Sequence, residues 1–497
     1  MIRSITALLL GALCVCPLVA QNIGASLSGL VEDSQKRVIQ NAAVSVQDRS
    51  TDRELMLRSG QDGRFHASGL TPGEYRVEVA SPGFATVNFE SVKLAIGESR
   101  TLRVTLSPEL SRQEITVSAE AATSISADDS QAGKSYGPAL MGELPMISGG
   151  QGRNFKTQAY LTPGVTPSTE AHRPFSVAGA RNRNNNYLID SNDYNEIEGG
   201  LMMGRGLSEQ LIPSESIEGM QVLTHNFKAE YGRQNGSIIS LISKRGSNEF
   251  HGLLYEYLRN DSVNARNTFD RTAPPLKYNH FGVNAGGPIV KDKLFFFGNY
   301  EGSRQRSGSA RTIQTLTADQ RARAVPAVRS LVSMYPEPNI PGGNLFRANV
   351  NQTASLDTFL IRADYNASER HRIFSRSTFL TTDTDIFAGA AVSQGRRDIG
   401  SQGHSLHHTW SPGASVLNEA RFNFTRFHIG DGFVDPVQLG DPALNGEVGS
   451  VFVNGLTFLG HFSWYGQKNY QNNFQWSDDL SIVSGRHVWK TGVAVRR

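Results

Sequence analysis

The chain has 497 residues, room for three or four domains, and combines 49 glycines with a modest overall hydrophobicity. Its 49 basic and 46 acidic residues leave a formal charge of +3, too small and too evenly spread to argue for nucleic acid. Both cysteines, Cys14 and Cys16, lie at the extreme N-terminus, so the rest of the chain excludes disulfide scaffolds, thiol nucleophiles and thiolate metal sites together.

Met1-Ile2-Arg3 supplies a short positive region, Ile5 to Val15 an apolar stretch and Pro17-Leu18-Val19-Ala20 a small-residue exit. This is the pattern of a secretory signal spanning residues 1–20 and cleaved before Gln21. Leu13 and Val15, which precede the cysteines, are not the small residues a lipid-anchoring signal wants. Beyond residue 20 no apolar run reaches the roughly eighteen residues of a membrane-spanning helix.

From Gly24 to Pro108 the segments "SLSGLVED", "AAVSVQD", "GRFHASGL", "GEYRVEVASPGF" and "SRTLRVTLSP" alternate apolar and polar residues. Asp62-Gly63, Pro72-Gly73 and Pro82-Gly83 punctuate them, which predicts a small β-sandwich over residues 21–108. "DGRFHASGLTPGEYRVEVASPGF" resembles the carboxypeptidase regulatory-like domain, a transthyretin-like sandwich grouped with carbohydrate-binding-like folds; Gly63, Phe65, Leu70, Gly73, Tyr75, Val77, Gly83 and Phe84 carry the resemblance. No HExxH or HxxE occurs in the chain, so zinc-peptidase chemistry has no ligands here.

"SRQEITVSAEAATSISADDSQAGKS", Ser111 to Ser135, is rich in small and polar residues and predicts a linker over residues 109–135. Its one island of strand character, Ile115 to Ala119, could add to the open sheet edge of another protein or be the last strand of the sandwich.

Residues 136–246 carry the most specific run. "LPMISGGQGRNFKTQAYLTPGV", "SVAGARNRNNNYLIDSNDYNE" and "IPSESIEGMQVLTHNFKAEYGRQNGSIISLISKRGSNEFHG" resemble, in order and spacing, the α/β plug domain of TonB-dependent outer-membrane receptors, and above all the Oar-like group, in which a regulatory-like sandwich precedes the plug. The resemblance makes Glu114, Ile115, Thr116, Val117, Ser118 and Ala119 the expected TonB box, the strand paired by the energy-coupling protein of the inner membrane. "GGPIVKDKLFFFGNYEG" and "MYPEPN" are similar to early barrel strands and a long loop of the same group. Asp190-Ser191 stands where that family has Asp-Gly, and His225-Asn226-Phe227 replaces the Arg-Gly-Pro turn of siderophore receptors, which argues against a siderophore as solute.

The plug-to-barrel junction is expected at Lys244, Arg245, Gly246 and Asn248, with Phe250 and Gly252 entering the wall. Residues 247–497 alternate as a membrane β-strand must, because lipid leaves no backbone group unpaired and side chains face lipid and lumen in turn. Phe359, Ile361, Ala363 and Tyr365 oppose Arg362 and Asp364; Ala420, Phe422 and Phe424 oppose Arg421, Asn423 and Thr425; Trp489, Thr491, Val493 and Val495 oppose Lys490, Gly492 and Arg496. The length allows about ten strands, short of the twenty-two of the resembled receptors, and the chain ends in "GVAVRR" rather than an aromatic residue. The expectation is therefore mainly β, with a sandwich, a plug and an incomplete antiparallel transmembrane β-barrel that would leave open edges in an isolated, truncated chain.

Other motifs carry less. "DSNDYNEIE", Asp190 to Glu198, crowds oxygen ligands but misses the calcium-loop pattern and reads as a solvated plug loop. His404, His407 and His408 lack a nearby carboxylate and read as lumen or loop residues rather than metal ligands. "GRHVWKTG" has no glycine before Lys490, which excludes a phosphate loop, and no G-x-S-x-G elbow occurs. No enzyme, cofactor or metal site is expected. The predicted function is energised uptake of a large solute through a plugged pore, with a TonB-type protein and outer-membrane lipid as partners; the solute is unidentified, glycan and oligopeptide being the classes kept open. The alternative is a surface adhesion, structural or glycan-binding protein without transport.

Overall fold

The computed structural model describes residues 24–108, 115–117, 131–143, 147–148, 152–153, 155–167, 175–181, 184–195, 212–232, 236–266, 273–387, 394–413, 415–433, 451–459, 468–485 and 487–497. The expected signal, residues 1–20, lies outside them.

The sandwich comprises β1 (Ala25–Asp33), β2 (Ala43–Asp48), β3 (Glu54–Arg58), β4 (Arg64–Leu70), β5 (Gly73–Ala80), β6 (Val87–Leu94), β7 (Ser99–Leu106) and β8 (Ile115–Val117). They form two sheets, β4-β1-β7 and β3-β2-β5-β6-β8. The sequence alternation sends Leu27, Val31, Val44, Val46, Val77, Phe89 and Leu102 into the space between them. Phe65 and Tyr75 are in this core as well. Gly63 turns the chain into β4 at φ 71°, where a Cβ would meet the Val31 carbonyl at 2.8 Å.

The plug is built from β9 (Ala132–Tyr136), α1 (Pro138–Glu143), β10 (Ile147–Ser148), β11 (Gly152–Arg153), α2 (Lys156–Ala159), β12 (Val165–Pro167), β13 (Phe175–Val177), β14 (Asn186–Ile189), β15 (Asn192–Asp193), β16 (Ile217–His225) and β17 (Ile238–Ser243). Its main sheet runs β15-β14-β17-β16-β9, with only β14 and β17 parallel. The edge strand β9 lies within the stretch read from sequence as linker: its alternation is too short and polar to register alone, and antiparallel pairing with β16 orders it.

Nine antiparallel strands follow in sequential order: β18 (His251–Asn260), β19 (Leu276–Val290), β20 (Leu294–Gln314), β21 (Leu345–Asn366), β22 (His371–Phe387), β23 (Gln394–Gly413), β24 (Val416–Phe433), β25 (Lys468–Ser484) and β26 (His487–Arg496). The sheet is open, with β18 and β26 each paired on one side. Connections at one end are short along the chain, residues 291–293, 367–370, 414–415 and 485–486, of which 414 and 486 lie outside the described residues. At the other end they are longer, and residues 315–344 and 434–467 are the largest. Short turns on one side and long loops on the other are the arrangement of outer-membrane barrels. Among the described residues no helix is long and apolar enough to cross a membrane, which does not bear on strands.

The wall is inverted relative to a soluble sheet. Phe359, Ile361, Leu406, Trp410, Trp476, Trp489, Val493 and Val495 are exposed, whereas Arg362, Asp364, Arg376, His407, Arg421, Asn423 and Thr425 are buried. Apolar side chains face outward, as lipid demands, and polar ones face inward onto the plug. The three alternating faces read from the sequence fall as expected. His404 and His408 do not lie in lumen or loop: they share the outward face, where His404 stacks on Phe424 and His408 on His371, and only His407 points inward. Half-exposed Leu406 tests this orientation. Leu406→Lys should cost about 2–4 kcal/mol if it sits near the bilayer midplane, read as loss of the folded form in lipid-vesicle insertion assays.

Candidate functional site

The plug packs on the buried face of the nine-stranded sheet through one apolar cluster and two polar anchors. The cluster joins Tyr136, Phe155, Phe175, Tyr187 and Met220 of the plug to Phe297, Leu360, Leu380, Ile399 and Phe427 of the wall. Apolar area alone would let the plug slide; directional bonds set its position.

The first anchor is the β14–β15 hairpin. Asp190 and Ser191 form its turn with φ 45° and 65°, a left-handed conformation that glycine adopts more readily. This is where the Asp190-Ser191 departure from Asp-Gly falls, and the backbone geometry is kept despite it. The turn aims the Asp190 carboxylate at the barrel. It accepts from the Ser243 N–H at 2.9 Å and the Ser243 hydroxyl at 2.8 Å, pairs with Arg376, and lies 3.7 Å from Arg362 Nη1. Arg376 also donates to the Tyr194 hydroxyl at 2.7 Å and to Ser405 at 3.0 Å. Arg362 donates to both oxygens of Asp364, at 2.7 and 2.8 Å, and stacks over Phe374. Arg376 is 0% exposed, Arg362 4% and Asp190 5%, so two cations and two carboxylates balance inside the structure.

The rest of the hairpin is held too. Asn192 Nδ2 lies 2.9 Å from His407 Nε2, the Gln475 side chain brackets the Asp193 backbone at 3.1 and 2.6 Å, and Arg496 meets the Asp193 carboxylate at 3.1 Å. The segment Asp190 to Asn195 is thus not a solvated loop. Its oxygen atoms are engaged by arginines and amides of the wall, which is why so polar a stretch can be buried. Among the described residues no cluster of three or more His, Cys, Asp or Glu could hold a metal ion.

The second anchor lies against β18–β20. Glu301, fully buried, accepts from the Ser214 N–H at 3.1 Å and the Tyr255 hydroxyl at 2.9 Å, and His280 Nε2 lies 3.3 Å from its other oxygen. Tyr257 donates to Glu215 at 3.3 Å.

The junction residues have a role the sequence did not reveal. Lys244 N–H donates to the Ser216 carbonyl within the plug, and Gly246 passes so close to β19 and β20 that a Cβ would meet the Phe296 carbonyl at 2.4 Å. Arg245 turns to the sandwich, donating to Asp48 at 2.7 Å and Ser50 at 3.1 Å. Asn248 donates from its backbone to the Ser50 carbonyl at 2.8 Å and from its side chain to Asp52 and Asp292. Arg53 reaches the Glu369 carbonyl and Arg372 the Gly69 carbonyl, while Gln221 and Ser135 of the plug both donate to the Ile96 carbonyl. The sandwich is therefore clamped to plug and wall at the short-turn end. Phe250, 76% exposed, and Gly252 belong to the outer wall rather than to this clamp.

Of the expected TonB box, Glu114, Ser118 and Ala119 lie outside the described residues. Ile115 to Val117 are β8, which pairs in parallel with β6: Val87 with Ile115, Asn88 with Thr116, Phe89 with Val117.

Residues 242–325 and 322–497 match the family model of the outer membrane beta barrel domain, and residues 26–107 match the carboxypeptidase regulatory-like domain. The chain belongs to the outer-membrane β-barrel family. It is similar to the TonB-dependent transporter Oar of Myxococcus xanthus, at 22% identity over 356 residues, covering 69% of this chain and 33% of that protein. Its fold is similar to the outer membrane transporter YddB from Escherichia coli, with TM-score 0.50 and 15% identity, covering 73% of this chain and 48% of that one. The chain spans about a third of the length of the first and about half of the second. Its location is the outer membrane, with the sandwich on the periplasmic side, and these relatives are transporters rather than enzymes.

Two measurements test the anchors. Asp190→Ala leaves Arg376 buried without its carboxylate and should weaken plug seating by about 3–5 kcal/mol, seen as a lower unfolding midpoint and faster proteolysis of the plug. At Asp48 burial pushes the carboxyl up, but the Arg245 guanidinium and the Ser50 hydrogen bonds outweigh it and hold it below its ordinary value of 3.8. The lowered value means that its contribution to docking is complete above pH 3.8 and is lost as the pH falls below it. Hydrogen exchange of residues 244–248 should accordingly rise on acidification below that value, and Asp48→Asn should remove this dependence.

Proposed function

We propose that this protein serves energised uptake of a solute across the outer membrane, with the plug closing the lumen and Glu114 to Ala119 acting as the strand that a TonB-type protein of the inner membrane engages. The observation that carries the reading is the buried Asp190–Arg376–Arg362 network, which fixes a separate folded body inside a lipid-facing wall. A purely adhesive or structural barrel gives that body no task. A glycan-capturing sandwich would need exposed aromatic rings, and Phe65 and Tyr75 are core residues.

The chain order supplies the mechanism. A pull on the Ile115 strand is passed toward the plug at β9, the edge strand of its main sheet, which has β16 as its one neighbour there. An edge strand with one ladder to lose is the easiest element of that sheet to peel. Loss of β9 would loosen the plug next to the lumen wall while the Asp190 anchor keeps the remainder in place. The solute stays unassigned, glycan and oligopeptide being the classes compatible with a receptor lacking the siderophore-type turn.

The test is Val117→Pro, which removes a main-chain donor from the strand. Binding of the periplasmic domain of TonB to the full chain should fall at least tenfold in a pull-down or titration; unchanged binding refutes the strand assignment.

A further inference from the structure

We infer that β3 of the sandwich is a self-complementary edge, and that two copies of this chain associate through it, β3 pairing antiparallel with β3 of the second copy about Met56. The inference goes beyond the transport reading and does not depend on it.

The strand is Glu-Leu-Met-Leu-Arg, Glu54 to Arg58, and β2 is its one neighbour, so it forms an end of the five-stranded sheet. The Asp48 N–H donates to the Arg53 carbonyl and the Ser59 N–H to the Ala42 carbonyl, which fixes the phase of the ladder. With Val46 opposite Leu55 and Val44 opposite Leu57, those two leucines turn their main-chain groups to β2, and Glu54, Met56 and Arg58 turn theirs to the open edge. The side chains of the same three residues lie on the exposed face, Met56 at 61% exposure, while Leu55 and Leu57 point to the sandwich core. No proline, bulge or inward charge interrupts the strand, and these are common devices against edge pairing.

The two charges of β3 favour its own copy. An antiparallel two-fold about Met56 sets Glu54 of each copy opposite Arg58 of the other and Met56 opposite Met56. All are hydrogen-bonded pairs, and their main-chain groups are the ones that face the edge. On the core face Leu55 then lies opposite Leu57 of the second copy, which covers a leucine that its own sandwich buries only in part. Within one copy Glu54 Oε1 accepts from the Ser45 hydroxyl at 2.5 Å and Arg58 Nη1 donates to Asn41 Oδ1 at 3.2 Å, so each charge keeps an atom for the second copy. Two other sandwich edges lack this symmetry. β4 carries Arg64 and His66, β7 carries Arg100 and Arg103, and neither holds an acidic residue, so no register of self-pairing there gains an opposite-charge pair. The rim does not pack on the far end of β3: a cavity of about 550 Å³ lies between Leu57 and Arg58 on one side and Ser415, Val483 and Gly485 on the other. Three residue pairs make a small interface, and confinement of both copies to one membrane supplies the local concentration it needs.

The experiment uses the full chain after removal of the expected signal, which carries Cys14 and Cys16, the cysteines of the sequence. Cα atoms of a hydrogen-bonded antiparallel pair are about 5.5 Å apart, within reach of a disulfide. Met56→Cys in lipid vesicles should therefore give a disulfide-linked dimer on oxidation, whereas Gln61→Cys, exposed but away from the two-fold, should not. Glu54→Arg and Arg58→Glu each turn both opposite-charge pairs into like-charge pairs and should weaken association about tenfold in sedimentation equilibrium, and the exchange Glu54→Arg/Arg58→Glu should restore it. A monomer at every concentration of the unaltered chain overturns association. Association unmoved by either single reversal overturns β3 as the contact. Loss in both single variants without recovery in the exchange overturns the pairing, because the substitutions then act on the sandwich fold alone. Equal crosslinking of Met56→Cys and Gln61→Cys, or none by Met56→Cys in a protein that associates, overturns the two-fold about Met56.

Discussion

Two arginines on the inner face of the wall, Arg362 and Arg376, are buried where water cannot solvate them, and the plug carries part of the charge that they need. An unpaired cation in such a place is far costlier than a missing apolar contact. Asp364 on the wall compensates one of them, and Asp190 on the plug completes the set. The plug is thereby specified in position as well as in shape, since an aliphatic surface tolerates sliding and a shared carboxylate does not. The left-handed turn at Asp190 and Ser191, the hydroxyl of Ser243 and the phenol of Tyr194 all serve to aim or satisfy the same charges.

The same logic operates at the periplasmic end with a different composition. There Arg245, in the turn between the last plug strand and the first wall strand, is claimed by Asp48 of the sandwich. One short peptide, Lys244 to Asn248, thus touches all three bodies: plug through Lys244, sandwich through Arg245, and sandwich and wall together through Asn248. A displacement of any one body is felt at this junction. Burial lowers the charge affinity of Arg53 beside it to a pKa of about 10, with repulsion from Arg372 contributing, so the clamp concentrates positive charge that Asp48 offsets in part.

Much of this was legible in residue order. Period-two alternation identified the inward and outward faces around Arg362, Arg421 and Lys490 because a strand has one geometry and its side chains can face only two ways. Turn signals at Asp62-Gly63, Pro72-Gly73 and Pro82-Gly83 located the ends of sandwich strands for the same local reason, although only the last joins a hairpin, β5 to β6, while the first two carry the chain from one sheet to the other. The polar stretch Asp190 to Glu198, of which residues 196–198 lie outside the described residues, was misread as solvated over Asp190 to Asn195 because the arginines and amides that satisfy it come from strands nearly two hundred residues or more away. His407 faces the lumen as expected, but His404 and His408 were placed poorly because a single-residue step moves a side chain from lumen to lipid, and "HSLHHTW" is polar enough on both faces to hide the register.

By itself, the sequence determined the local elements: a sandwich of alternating strands and a wall that is apolar on one face and polar on the other. These follow from nearest-neighbour chemistry, backbone preference and period, which need no knowledge of distant residues. Only the tertiary structure decided which charges pair across the lumen, that the sandwich grips the junction, and that Ile115 to Val117 lie along β6. Those contacts join residues far apart in the chain, and their energies depend on burial and counter-charges that exist only once the three bodies are brought together.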